Sequence, residues 1–277
     1  MNVRDLLATA SQRLGGADAR LDAELLLAHA LGVSRARLYA WPEHEPDATQ
    51  REAFERLVDA RARGEPIAYL TGRREFWSID LAVTPDVLIP RHETELLVEL
   101  ALERIPRDRA FRVVDLGTGS GAIALAIARE RPLARVTAID ASAAALDVAR
   151  GNAERLAIGN VAFAVGDWYA AIADARFDLV VSNPPYIASN DAHLAQGDLR
   201  FEPESALASG ADGLDAIRRI VAGAPVHLAE GGTLLLEHGF DQSARVRELF
   251  ESAGFVNVRS IRDNGGHERV TLGTKRG

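Results

Sequence analysis

Up to residue 63 the apolar positions recur at helical spacing: Leu6, Leu7, Ala10 and Leu14, then Leu21, Leu25 and Ala28, then Phe54, Leu57 and Val58. The pattern predicts about four short amphipathic helices, punctuated by Gly15-Gly16, Gly32 and the stretch at residues 41–46. Over residues 67–83 the period changes to short β-like pieces, IAYLTG and FWSIDLAV, which predict a hairpin. Pro85 and Pro90 bracket a linker, and HETELLVELAL then reads as a helix with acidic residues in its first turn, where the helix dipole favours them.

From Phe111 onward strands and helices alternate. FRVVDLG, ARVTAID, VAFAVGD, FDLVVSN, GTLLLEHG, GFVNVRSI and ERVTLG are predicted strands. Between them AIALAIARER, SAAALDVARGNAERL, LDAIRRIVAGAPVHL and QSARVRELFESA are predicted helices. This βαβα order predicts an α/β fold with a parallel, doubly wound sheet covered on both faces. The last two strands are joined by a DNGG-containing link too short for a crossover helix, so they are expected to pair antiparallel. The division expected is a helical domain with its hairpin linker over residues 1–84 and a larger α/β domain over 85–277.

Composition narrows the function classes. A chain of 277 residues with 47% hydrophobic and 26% charged residues reads as an ordinary globular protein. Its net charge of −8 argues against a broad basic surface for nucleic acid. The absence of cysteine rules out disulfides, thiolate metal sites and Cys nucleophiles. No leader-like segment opens the chain and no 18-residue uncharged apolar run occurs, so a cytoplasmic protein without a membrane partner is expected. Only Lys275 among the 32 basic residues is lysine, a bias that points to base composition more than to function.

VVDLGTGSGAIALA sets Gly117, Thr118, Gly119, Ser120 and Gly121 between a strand and a helix, where glycines permit a tight turn and close approach to a ligand at a helix N-terminus. Asp140 ends the next strand, placed to accept from ribose hydroxyls. Taken alone the loop also passes a relaxed dinucleotide fingerprint through Ala122. Asp115, just before the first glycine, is unusual in a dinucleotide loop and familiar in S-adenosylmethionine (SAM) enzymes; it either reaches the cofactor or caps its own turn. Asp167 and Trp168 end the third strand, where an acid can accept from an adenine amino group and an indole can cover the ring.

VSNPPY then ends the fourth strand, and its two prolines cannot continue a ladder. A nitrogen conjugated to a carbonyl or an aromatic ring is a poor nucleophile. Two acceptors, the Asn183 side-chain oxygen and the Pro184 carbonyl, are suited to hold both of its N–H bonds and aim its lone pair at a sulfonium methyl. Pro184 and Pro185 stiffen the support, and Tyr186 is suited to stack on the planar group and exclude water.

Several stretches together resemble the peptide chain release factor glutamine methyltransferase family (HemK/PrmC): PIAYLTGRREFWS, LIPRHETELLVE, DLGTGSGAIALA, SNPPYI, RFEPESAL, LLLEHG and ERVTLG. NPPY alone is shared with methylases of exocyclic amines; IPRHETE and RFEP make the match specific. The resemblance implies a Rossmann-like SAM-dependent methyltransferase domain behind a small helical substrate-recognition domain. It also implies class 1 release factors as protein partners and the amide nitrogen of the glutamine in their Gly-Gly-Gln loop as methyl acceptor. Carried onto matching positions, residues 117–121, Asp140, Trp168 and Asn183 would contact SAM, and residues 183–186 would receive the glutamine.

Arg91 and Glu202 lie in those motifs and either shape the substrate entrance or form a structural pair. His92, His238 and His267 lack metal-ligand spacing, and no metal is expected. Two rival readings use the same residues. An N6-adenine or N4-cytosine methylase would share NPPY but calls for a basic face. A non-catalytic SAM-binding module docked on a translation factor would leave Asn183 and Tyr186 without a task.

Overall fold

In the computed structural model, which describes residues 1–277, the N-terminal region is helical, and its first and fourth helices open on side-chain caps. α1 (Val3–Leu14) starts at Asn2, whose side chain accepts from the Asp5 amide. α2 (Ala19–Leu31) and α3 (Arg35–Ala40) follow, and α4 (Ala48–Ala62) opens with a reciprocal capping box between Asp47 and Gln50. Such caps satisfy amides that a first helical turn leaves open. Leu6, Leu7, Leu26, Leu27, Leu38, Phe54 and Val58 bury together beneath them.

One sequence expectation is corrected here, because IAYLTG forms a helix and not a strand: α5 (Ile67–Thr71), entered from Pro66 and ended by Gly72 at a left-handed φ of 68°. A short apolar run between Pro and Gly suits either element. The packing of Ile67 and Leu70 on the helical cluster decides it. The hairpin comes afterwards, as β1 (Arg73–Phe76) and β2 (Ile79–Ala82). Its turn falls inside FWSIDLAV, at Trp77 and Ser78, with φ of 51° and 54°, the left-handed conformation of a two-residue primed turn.

The chain divides into two compact units, Met1–Arg73 and Arg74–Gly277. The hairpin therefore falls with the second unit, where the sequence reading had placed the boundary after residue 84. Phe76, Ile79 and Leu81 are buried in that unit's core. Asn152 also holds both polar groups of the Ala82 backbone, accepting from its N–H at 2.7 Å and donating to its carbonyl at 2.9 Å.

The second unit continues with α6 (Glu95–Arg104), β3 (Phe111–Leu116), α7 (Ala122–Glu130), β4 (Ala134–Asp140), α8 (Ala143–Arg155), β5 (Val161–Val165) and β6 (Phe177–Ser182). It closes with α9 (Asp215–His227), β7 (Leu228–Glu237), α10 (Ser243–Ser252), β8 (Phe255–Arg262) and β9 (Glu268–Lys275). The seven strands lie in the order β5-β4-β3-β6-β7-β9-β8. β3 to β7 run parallel; β9 is antiparallel to β8, as the short link predicted, and also to β7. Alternation along the strands feeds two cores. Val113, Leu179 and Leu235 pack on one face with α6 and α7, and Val114, Val180, Leu234 and Leu236 pack on the other with α9 and α10. The strand order reverses between β3 and β6, the place where open α/β sheets bind ligands.

Candidate active site

At that reversal Leu116 pairs with Ser182, and the Ser182 hydroxyl donates to the Leu116 carbonyl at 2.6 Å. Gly117 and Asn183 consequently leave the sheet side by side. An open cleft lies there, at the place in the sheet where ligands bind. Gly117, Gly119, Asp140, Asp167, Trp168, Asn183 and Pro185 all line it, so four successive loops bring the predicted residues to one place.

The glycine loop is built for close approach. Gly117, Gly119 and Gly121 have φ of 74°, 54° and 85°, a region that L side chains rarely adopt. A Cβ at Gly117 would lie 3.4 Å from the Trp168 ring, and one at Gly121 would press Leu125 and Ala149 at 3.1 and 3.2 Å. Asp140 orders the loop: its Oδ2 accepts from the Gly119 amide and its Oδ1 from the Ser142 amide, each at 2.9 Å. Each carboxylate oxygen keeps a further lone pair for a ligand.

Thr118 and Ser120 are buried and support the loop from behind. The Thr118 hydroxyl donates to Asp115 Oδ2 at 2.7 Å, and the Ser120 carbonyl accepts from Asn152 Nδ2 at 2.9 Å. Asp115 is fully buried and also accepts from the Ala124 amide at 3.2 Å. Of its two readings, the structure shows the one that caps the turn. Burial pushes its carboxyl up to about 7 in spite of these bonds. Asp167 is exposed and pairs with Arg219 at 2.5 Å, so its carboxylate already has a cationic partner.

Asn183 donates from Nδ2 to the Thr94 hydroxyl at 3.0 Å, while its Oδ1 accepts no bond within the chain. Tyr186 does not line the cleft. Its ring packs against the apolar cluster around Leu236 and Phe250, its hydroxyl donates to Glu237 Oε1 at 3.4 Å, and its carbonyl accepts from Gln242 Nε2 at 2.9 Å. Burial pushes the phenol well above its usual range. Glu237 is itself buried, with Oε2 unpartnered, and burial pushes its carboxyl up to about 7. His238 is committed to Thr271 and to the Gly239 carbonyl, at 2.8 and 2.9 Å.

Several contributors were not assigned from sequence. Asp86, Val87 and Leu88, with Pro203, Ser205 and Ala206, line the cleft alongside the loops. The Glu202 side chain is fully buried between these two segments, accepting from the Ile89 amide at 3.0 Å and pairing with Arg91. Arg91 and Glu202 thus form the structural pair. Thr94 and Glu237 also escaped notice. The available signal was their position inside the IPRHETE and LLLEHG stretches.

Comparison with known proteins places this geometry. The PrmC N-terminal domain matches residues 5–72, and the methyltransferase small domain matches residues 93–201. The release factor glutamine methyltransferase of Xylella fastidiosa is 56% identical over 268 residues, covering 97% of this chain and 96% of that protein. The chain belongs to the release factor glutamine methyltransferase family. The Pseudomonas aeruginosa member is 52% identical, with 95% of each chain covered. A methyltransferase from Pyrococcus furiosus shares the fold, with a TM-score of 0.55 and 20% identity over 72% of this chain and 90% of that one. The resemblance read from the motifs therefore holds, as does the expected α/β methyltransferase fold. The family's N-terminal domain spans nearly all of the first unit.

Proposed function

We propose that this chain transfers the methyl group of SAM to the side-chain amide nitrogen of the glutamine in the Gly-Gly-Gln loop of class 1 peptide chain release factors. The chain is a methyltransferase with SAM as cofactor, and its relatives are named for release factor glutamine. The Gly-Gly-Gln loop and the residue roles are what the proposal adds.

The cleft fits the cofactor. Positive-φ glycines let backbone approach it, Asp140 retains lone pairs for the ribose, and Trp168 presents its ring beside Gly117. Asp167 would face the adenine. Bound SAM supplies an electrophilic sulfonium methyl. One observation carries the acceptor: the Asn183 amide is tied back through Nδ2, which turns its oxygen edge outward. Asn183 Oδ1 and the Pro184 carbonyl accept the two N–H bonds of a planar amide, orient its nitrogen lone pair, and stabilise the positive charge that grows there as the N–C bond forms. Pro184 and Pro185 hold both acceptors in place before substrate arrives.

Residues 1–73 carry no cleft residue and are the natural surface for recognising a protein substrate. The net charge of −8 disfavours the rival duplex substrate. A release factor substrate implies work in the cytoplasm, and no helix is long and apolar enough to cross a membrane.

The test is incubation with labelled SAM and purified release factor, followed by mass spectrometry of the Gly-Gly-Gln peptide. One methyl on the glutamine is expected. Substituting that glutamine by Asn withdraws the amide by more than about 1 Å and should cost on the order of 10²-fold in rate. Transfer to adenine in DNA or RNA at a matching rate would overturn the reading.

A further inference from the structure

We infer that Glu237 is a positioning residue for methyl transfer, which acts through Thr94 to set the edge of the Asn183 amide that faces the substrate. The inference rests on the reading that Asn183 Oδ1 holds the substrate amide.

An Asn side chain has an accepting edge and a donating edge of nearly the same shape. Only the accepting edge can hold a substrate N–H; an NH2 turned into the cleft would meet it donor to donor. The Asn183 backbone position does not make that choice. The choice lies with Thr94, a buried hydroxyl 3.0 Å from Nδ2. A hydroxyl owns one hydrogen and can take either role. If its hydrogen pointed at Asn183, the amide would flip and present NH2 to the substrate.

Glu237 removes that freedom. It ends β7, next to β6, and is 1% exposed. The Thr94 hydroxyl lies close enough to its carboxylate to help hold the group's pKa down. Its Oε2 accepts no hydrogen bond within the chain, a buried acceptor open to the hydroxyl beside it. An ionised carboxylate only accepts, so the Thr94 hydrogen is drawn to Glu237 and the Thr94 lone pair is left for Asn183 Nδ2. The Tyr186 hydroxyl donates to Oε1 at 3.4 Å, tethering the other end of the Asn-Pro-Pro-Tyr loop to the same group. The result is a one-way chain from Asn183 through Thr94 to Glu237, with no contact between Glu237 and the cleft.

The chain has a pH signature. Arg269 on β9, Thr94 and Tyr186 favour the ionised form of Glu237, while burial and Glu93 oppose it. A protonated Glu237 can donate to Thr94, so turnover should fall as pH drops through the neutral range.

The test uses the full chain with saturating release factor. Glu237→Gln is isosteric but able to donate; it should lower kcat about tenfold to a hundredfold. KM and SAM affinity should stay within about threefold, and the acidic limb of the kcat profile should vanish. Thr94→Val should give the same kcat loss and Thr94→Ser should restore it. The Glu237→Gln/Thr94→Val pair should lose no more than either alone. Asn183→Ala is the reference. If Asn183→Ala abolishes turnover while Glu237→Gln keeps the wild-type kcat and pH profile, this inference is wrong and the reading of Asn183 stands. Full turnover in Asn183→Ala sinks both. Should Glu237→Gln not fold, wild-type kcat in Thr94→Val overturns the inference independently.

Discussion

Replacing Glu202 by Ala should release the two segments that line the cleft alongside its loops. The side chain is fully buried, and its two partners are unequal. The Ile89 amide lies in a residue only 3% exposed and would lose its acceptor at 3.0 Å. Leaving such a group unsatisfied costs about 1–3 kcal/mol. Arg91 keeps 29% of its side chain in solvent and can rehydrate, so its loss adds only about 1 kcal/mol. Relief of carboxylate desolvation works in the other direction. The two losses sum to about 2–4 kcal/mol, and with that relief the net expectation is a destabilisation of about 1–3 kcal/mol. Glu202→Gln retains an acceptor for Ile89 and loses only the charge, so about 1 kcal/mol is expected. Pro203, Ser205 and Ala206 touch the cleft, so Glu202→Ala should also weaken SAM binding, by about tenfold. Urea denaturation and calorimetry on both variants supply the measurements. Stability within about 0.5 kcal/mol of wild type for Glu202→Ala would refute the account, since that is the scale of an ordinary surface substitution.

Asp115 and Glu237 each titrate near 7 when folded, above the ordinary carboxylate range, so between about pH 4 and 7 the folded state binds more protons than the unfolded one. Their protonation supports the fold fully below that window and is lost as pH rises through 7. Asp115→Asn removes one such slope, so its stability relative to wild type should improve from pH 5 to pH 8; a constant difference in urea midpoint would refute this. Asp140→Ala should weaken SAM binding by about 1–3 kcal/mol through lost charge-assisted bonds, and unchanged affinity by calorimetry would remove Asp140 from the cofactor site. A chain beginning at Arg74 keeps Phe76, Ile79 and Leu81 in its core. It should bind SAM yet methylate intact release factor poorly, and full activity would end the recognition role of residues 1–73.

The sheet was legible in the sequence because strand and helix periods are local properties. Each of the seven apolar runs from FRVVDLG to ERVTLG became a strand, and the short DNGG link was enough to set the last pair antiparallel. The glycine loop was legible for a related reason, since a left-handed backbone favours glycine wherever it occurs. IAYLT was not, because five apolar or small residues between Pro and Gly fit a strand or a helix turn equally until a neighbour buries one face. The hairpin turn at Trp77 and Ser78 carries none of the Gly, Asn or Asp that mark such turns. The charged groups behind the site were hidden for a deeper reason. Glutamate is rarely buried unless paired, and the partners of Glu202 and Asn183 stand 111 and 89 residues away along the chain. Whether a carboxylate is dry or wet, and which edge of an amide faces a cleft, depends on what fills the volume around it. That volume exists only after β3, β6 and β7 have aligned their ends beside the loop that carries Thr94.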